Sequence, residues 1–198
     1  MKNRYFEILS VFSTIVAKHG INKTTMRDVA EQTGYSIGTI YNEFSNKEAL
    51  VDGLFNQKRL EVEEWLASLC GVCQASGEMR LRRFMLGYVQ EFNQKVRQDV
   101  AFAEIVKEAR YFRYIGLKTV DFNQFVRSKV LVIIENILQA GVKEKLFYIT
   151  DILLTANLIL NAFAVYLLPS LILEKEFEHI YKEAEAMLEL IIKALLAK

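Results

Sequence analysis

Apolar residues recur at steps of three and four along most of this chain, and no stretch alternates residue by residue over the length of a strand. Tyr5, Ile8, Phe12, Ile15 and Val16 share one face, with Arg4, Glu7 and Lys18 off it, which predicts an amphipathic helix. Gly20 should end that helix, with Ile21 folding back as the apolar closure of its last turn. Thr25 then caps a second, short helix, with Asp28 in the capping-box position and Met26, Val29, Ala30 and Thr33 inward. Gly34 ends it. Ser36 caps a third helix whose inward positions are Ile37, Ile40, Tyr41 and Phe44, and Ser45 with Glu48 forms a capping box for a fourth helix running past Trp65 to about Leu69.

Beyond a turn over Cys70–Gly77, Ser76 caps a helix to about Val96 with Leu81, Phe84, Met85, Tyr88, Val89 and Phe92 inward. Asp99 opens another helix, to about Phe112. Gly116 marks a break, and a long helix from Val120 to Gln139 is expected to end at Gly141. Asp151–Leu168 reads as a strongly apolar helix that Pro169 terminates, and Phe177–Leu195 as a final one with Ile180, Ala184, Met187, Leu188 and Ile191 on one face. The expected fold is all-α, with about nine helices. A single proline in 198 residues agrees with long uninterrupted helices, and 52% hydrophobic residues exclude global disorder.

Three helices, a Gly34-Tyr35-Ser36 turn and a third helix with Ser36, Gly38, Thr39, Asn42 and Glu43 outward make a helix-turn-helix arrangement, in which serine, threonine and asparagine can read base edges in a major groove. The run Gly34-Tyr35-Ser36-x-Gly38-Thr39-x-Tyr41-x-x-Phe44-x-x-Lys47-Glu48-Ala49-Leu50, with Thr24-Thr25-Met26-Arg27-Asp28-Val29-Ala30 before it, resembles the TetR family of transcriptional repressors. The motif resemblance spans about Ile8 to Phe55; the remainder resembles the family in length and helix order.

That resemblance implies a DNA-binding domain over residues 1–46 and a ligand-binding and dimerisation domain over 47–198. It places phosphate contacts on Thr25, Tyr41 and Lys47 and base readout on Arg27, Ser36, Thr39 and Asn42. Thr25 and Lys47 sit at helix N-termini, where the dipole favours an anion. The chain departs from the family at Ile37, where lysine is common, and at Asn42-Glu43, where His-Tyr is frequent. Charge adds little: the net is +1 overall, and the first fifty residues hold six basic and five acidic side chains. Modest non-specific affinity with a shallow salt dependence follows.

Ile152–Leu173 holds 22 consecutive uncharged residues, long enough for a membrane span, but Thr155, Asn157, Asn161 and Pro169-Ser170 interrupt it and no basic cluster flanks it. A helix buried between its own domain and a second copy explains the run better, and in TetR-like proteins the last two helices form such a dimer interface. Leu158, Val165, Ile180, Leu188 and Ile191 are its candidate contacts. Tyr88, Phe92, Phe122, Phe125, Asn157 and Asn161 are candidates for a ligand pocket, although the two asparagines could equally pair across the dimer.

The partners expected are double-stranded operator DNA, a second copy of the chain, and a small, largely apolar effector; the resemblance implies that such an effector moves the fourth helix and spoils the spacing of the two DNA-reading modules. No cofactor, metal or membrane is called for. Phosphate-loop, H-E-x-x-H and G-x-S-x-G motifs are lacking, so an enzyme is not expected. No secretory signal is read at the N-terminus, and two cysteines make no disulfide framework, so the cytoplasm is the expected compartment. Cys70-Gly71-Val72-Cys73 reads as a helix-ending turn or a redox pair. The competing reading is a protein-interaction module that keeps the three-helix fold without specific DNA binding.

Overall fold

The structure, a computed structural model, describes residues 4–71, 75–114 (side chains to 107) and 122–196. Among these there are ten α-helices, one 3-10 turn and no strand: α1 Arg4–His19, α2 Met26–Thr33, α3 Ile37–Glu43, α4 Lys47–Leu69, α5 Gly77–Gln98, α6 Val100–Tyr114, α7 Phe122–Lys143, α8 Ile152–Phe163, α9 Pro169–Glu174 and α10 Phe177–Leu196. The chain divides into two compact units. One comprises residues to Glu61 with Gln98–Asn123, the other Val62–Arg97 with Gln124–Lys198, so the division falls within α4. Gly116, Val120 and Cys73 lie outside the described residues.

In the first unit α1 buries Ile8, Leu9, Phe12, Ile15 and Val16 and packs on α2 and α6. The α2–α3 turn depends on Gly34 at φ 73°, a left-handed backbone that a side chain would strain. Thr25 and Asp28 close a reciprocal capping box: Asp28 N donates to Thr25 Oγ1 at 3.2 Å and Thr25 N donates to Asp28 Oδ2 at 2.7 Å. Ile40 and Phe44 carry the inner face of α3, and Phe44 stacks on Tyr5 at 4.8 Å. Ile37 and Tyr41, expected inward, are 40% and 51% exposed, because this seven-residue helix turns only one narrow stripe to the core.

The cap of α4 is Asn46, whose Oδ1 accepts from Ala49 N at 2.8 Å, and not Ser45. With the helix starting at Lys47, Glu48 lies one residue too early to close a box. Further along α4, Lys58 is 7% exposed, and its Nζ reaches Asp99 Oδ2 at 2.6 Å and Glu61 Oε2 at 2.9 Å. Asp99 also caps α6 by accepting from Phe102 N at 2.9 Å, so one carboxylate joins two helices.

In the second unit α5 buries the six inward residues expected, and Ser76 Oγ accepts from Met79 N at 3.3 Å as its cap. Helix α7 passes through Gly141 instead of ending there, and the chain turns at Lys145, φ 59°. Glycine at 141 serves packing: a Cβ there would strike the Phe147 ring, and a Cβ on Gly77 would come within 2.7 Å of the Gly141 Cα. Pro169 likewise begins a helix where it was expected to stop one. Helix α8 ends at Phe163, a 3-10 turn covers Ala164–Leu167, and extended Leu168 leads into α9, whose first turn needs no N–H from Pro169. Among the described residues, no helix is long and apolar enough to cross a membrane.

Candidate nucleic-acid interface and interior cavity

The exposed side of α3 is small and polar. Ser36 Oγ accepts from Thr39 N at 3.1 Å and lies 2.8 Å from Thr39 Oγ1, so the two hydroxyls hold each other at the start of the helix. Gly38, Tyr41 and Asn42 are exposed beside them, and a Cβ on Gly38 would meet only Ser36 Oγ, at 3.8 Å. Arg27 is exposed on α2. Thus the base-reading candidates Arg27, Ser36, Thr39 and Asn42 all lie on the surface of the same small unit, with Thr39 half-buried.

The phosphate candidates differ in how free they are. Tyr41 is open to solvent, whereas the Thr25 hydroxyl donates to Asp28 Oδ2 at 2.8 Å. Hydrogen bonds from Thr25 hold the Asp28 carboxyl below its ordinary pKa, so this carboxylate already occupies the anion position at the start of α2. Lys47 is half-buried and donates from Nζ to Asn22 O at 3.0 Å; burial pushes its pKa down, with Glu48 and Asp28 pulling the other way. Two contacts escaped the sequence reading. Arg4 pairs with Glu43 at 3.5 Å and compensates the carboxylate on α3, and Tyr35 Oη donates to Glu7 Oε2 at 2.9 Å, fastening the α2–α3 turn to α1.

This geometry, three helices with a polar third helix presented outward, has counterparts. Residues 8–54 match the TetR_N profile of bacterial regulatory proteins of the tetR family. Over these residues the N-terminal module matches the TetR family. It is 39% identical over 49 residues to the transcriptional repressor KstR2 of Rhodococcus jostii, covering 25% of this chain and 24% of that one. It is 33% identical over 55 residues to the fatty acid metabolism regulator protein of Bacillus subtilis, 28% of each chain. The matched segment therefore spans about a quarter of each curated relative's length. The fold likeness extends further: a putative transcriptional regulator from Pseudomonas aeruginosa superposes with a TM-score of 0.73 at 16% identity, over 96% of this chain and 90% of the other. The B. subtilis regulator FadR, solved with stearoyl-CoA, superposes with a TM-score of 0.67 at 19% identity, over 96% and 98%. The all-α fold of these two regulators thus extends over nearly the whole chain.

In the helical second unit the expected pocket residues separate. Tyr88 stacks on Trp65 at 5.5 Å and Phe92 lies 6.4 Å from the same ring, so both are packed core; burial pushes the Tyr88 phenol pKa up. Phe122 belongs to the first unit, fully buried edge-on to Phe55 and Phe102, each at 5.9 Å. Phe125 is half-buried, with Lys129 Nζ 5.4 Å over its ring. Asn157 is engaged by Arg127 Nη2 at 2.9 Å and by Leu153 O at 2.9 Å, and Asn161 is exposed.

Among the described residues, a mostly apolar cavity lies elsewhere in this unit. A space of about 490 Å³ opens between the end of α4, the first turns of α5 and the middle of α7, lined by Leu69, Arg80, Arg83, Phe84, Ile133 and Asn136 among others. None of the six expected residues lines it. The sequence signal that could have found it is the basic cluster Arg80, Arg82 and Arg83, set among the apolar positions of α5.

The dimer candidates separate too. Ile180 and Leu188 are wholly buried within the chain and have no surface to offer a partner, and Ile191 is half-buried. Leu158 and Val165 are exposed, on a stripe with Leu154 and Asn161 at helical spacing.

Proposed function

We propose that this chain is a homodimeric, DNA-binding transcriptional repressor of the TetR type, released from its operator by a small ligand. The observation that carries the reading is the outward face of α3, where capped hydroxyls, an open glycine, Tyr41 and Asn42 form a polar surface exposed among the described residues of the module. In this reading residues 1–46 engage the duplex: Thr25, Tyr41 and Lys47 meet phosphates, and Arg27, Ser36, Thr39 and Asn42 face the bases. Residues 47–198 bind the effector and pair two copies through Leu154, Leu158 and Val165. The repressor names of the curated relatives and the stearoyl-CoA complex of FadR support a ligand-released repressor. The chain works by binding rather than catalysis, in the cytoplasm where its DNA lies.

The competing reading, a protein-interaction module, rests on weak local charge and on Glu43 beside the recognition helix. The Arg4–Glu43 pair at 3.5 Å weakens it, since the carboxylate has its own counterion. A gel-shift series with random and selected duplexes decides between the two. Tyr41→Ala should weaken binding across all sequences, and Asn42→Ala should relax preference at one base pair by about 1–3 kcal/mol. A wild-type chain that retains no duplex at low salt, or variants that bind as it does, would overturn the proposal.

A further inference from the structure

We propose that the cavity between α4, α5 and α7 binds an amphiphilic anion, a carboxylate or phosphate head on an apolar body, with Arg83 as the head-group residue. This names the ligand class of the regulator proposed above and rests on that reading for its biological role. Three arginines lie close together on α5, and their partners distinguish them. Arg82 is spent on Glu78 and Glu189, its Nη2 lying 3.0 Å from Glu189 Oε2. Arg80 pairs with Glu144, which also accepts from Gly77 N at 2.7 Å. Arg83 has no acidic partner among the described residues, and it lines the cavity together with Arg80, whose Nε is buried without a hydrogen bond.

The remaining wall decides the rest of the ligand. Leu69, Met79, Phe84, Ile133 and Ile137 make it mostly apolar, Asn136 supplies an amide, and no acidic side chain lines it among the described residues. Arg83 is exposed at the mouth of the cavity, where water answers its charge. An anionic head there gains a guanidinium partner, an apolar molecule alone leaves the buried Arg80 Nε without one, and a cation would meet two guanidinium groups. A compact anion without a tail would leave the apolar wall against water. Only a molecule carrying both parts matches both surfaces, and about 490 Å³ lies in the range of sites that enclose small organic ligands. A guanidinium suits a carboxylate or phosphate because its fork of N–H donors can reach two oxygens at once.

The test is calorimetric titration of the full chain at neutral pH with decanoate, decyl phosphate and decanol, each below its aggregation threshold. The expected result is one-to-one binding of at least one anion, about tenfold tighter than decanol, and the two anions together tell which head group the site takes. Arg83→Ala should abolish that advantage, lowering anion affinity about tenfold while leaving decanol unchanged, and Arg83→Lys should restore part of it. Ile133→Trp should fill the cavity and remove binding; if it fails to fold, Asn136→Trp at the exposed mouth gives the same reading. Equal affinity for decanol and both anions, no effect of Arg83→Ala, or no saturable binding by any probe overturns the assignment. The titration needs no DNA, so it decides the cavity even if the chain binds no operator. An anion that binds through Arg83 yet leaves DNA retention unchanged would uphold the site and sink only its role as the effector's.

Discussion

Leu158→Asp and Leu188→Asp should fail in different ways, and the contrast tests the dimer face. Leu158 is 58% exposed in the single chain and Leu188 is 0% exposed. If two copies pair through the stripe of Leu154, Leu158, Asn161 and Val165, covering the open half of each leucine is worth roughly 1 kcal/mol, and two-fold symmetry counts it twice. Leu158→Asp then removes about 2 kcal/mol of burial, about thirtyfold in the dimer constant, before the desolvation of two carboxylates adds several kcal/mol more. The isolated chain should hardly notice, since surface changes of this kind usually stay within about 0.5 kcal/mol. Leu188→Asp is a core change: losing a packed leucine costs about 2–5 kcal/mol, and an unpaired buried charge adds a penalty that together rivals a typical total stability of about 5–15 kcal/mol. Light scattering coupled to size exclusion, with circular dichroism melting beside it, should find a folded monomer for Leu158→Asp and an unfolded or aggregated chain for Leu188→Asp. A Leu158→Asp protein that keeps the dimer mass at low micromolar concentration, or a well-folded Leu188→Asp monomer, would refute the assignment of faces.

Removing the carboxylate of Asp99 leaves the Lys58 ammonium, whose side chain is 8% exposed, with Glu61 as its acidic partner and takes away the cap of α6, so Asp99→Ala should cost about 2 kcal/mol in urea unfolding; a loss under about 0.5 kcal/mol would show that the pair does not hold α4 to α6. Burial opposes the charge on Lys58, but hydrogen bonds to Asp99 and Glu61 outweigh it and raise its pKa. Its contribution is therefore complete below the ordinary amine range and fades as pH rises through the higher folded value. Asp28 behaves oppositely: held below the ordinary aspartate pKa by its hydrogen bonds from Thr25, it stabilises above the unfolded pKa and loses that contribution as pH falls toward the folded one, so Asp28→Asn should flatten the melting temperature's decline between about pH 5 and pH 3. With Arg27 and Lys47 the cations near the duplex in each subunit, a dimer should release about four counterions, giving a slope near −4 in log affinity against log salt; a slope steeper than about −7 would mean that other cations take part.

The N-terminal module was legible because its signals are local. Thr25, Gly34 and Ser36 cap or end helices through atoms within three residues, and each does so as the sequence indicates, Asp28 closing its box despite being shorter than glutamate. Where the reading slipped, a choice among neighbouring local options was settled by packing. Ser45 and Asn46 are both capable caps, and the chain uses Asn46. Pro169 can stop a helix or start one, and the 3-10 turn before it makes it a start. Gly141 looks like a terminator until Gly77 and Phe147, distant in sequence, are brought against it. The cavity was invisible for the same reason: its walls come from three helices whose register no periodicity reveals, and abundant aromatics pointed instead to rings that turn out to stack on one another.

The weak charge of the DNA-reading module and its proposed dimerisation belong to one argument. Arg4 is committed to Glu43, Lys47 to the Asn22 carbonyl, and the Thr25 hydroxyl to Asp28, so a phosphate arriving at this surface largely exchanges partners instead of adding them. Exchange gains little free energy, and each module alone should bind weakly. Two modules held at fixed spacing bind as one ligand, because engagement of the first sets a high effective concentration for the second. In the proposed dimer, a spacing held by the protein would be the main source of affinity, and a ligand that merely alters the spacing would release the DNA without touching it. It follows that breaking the pair at Leu158 should weaken operator binding more than removing any single phosphate contact, Tyr41 included.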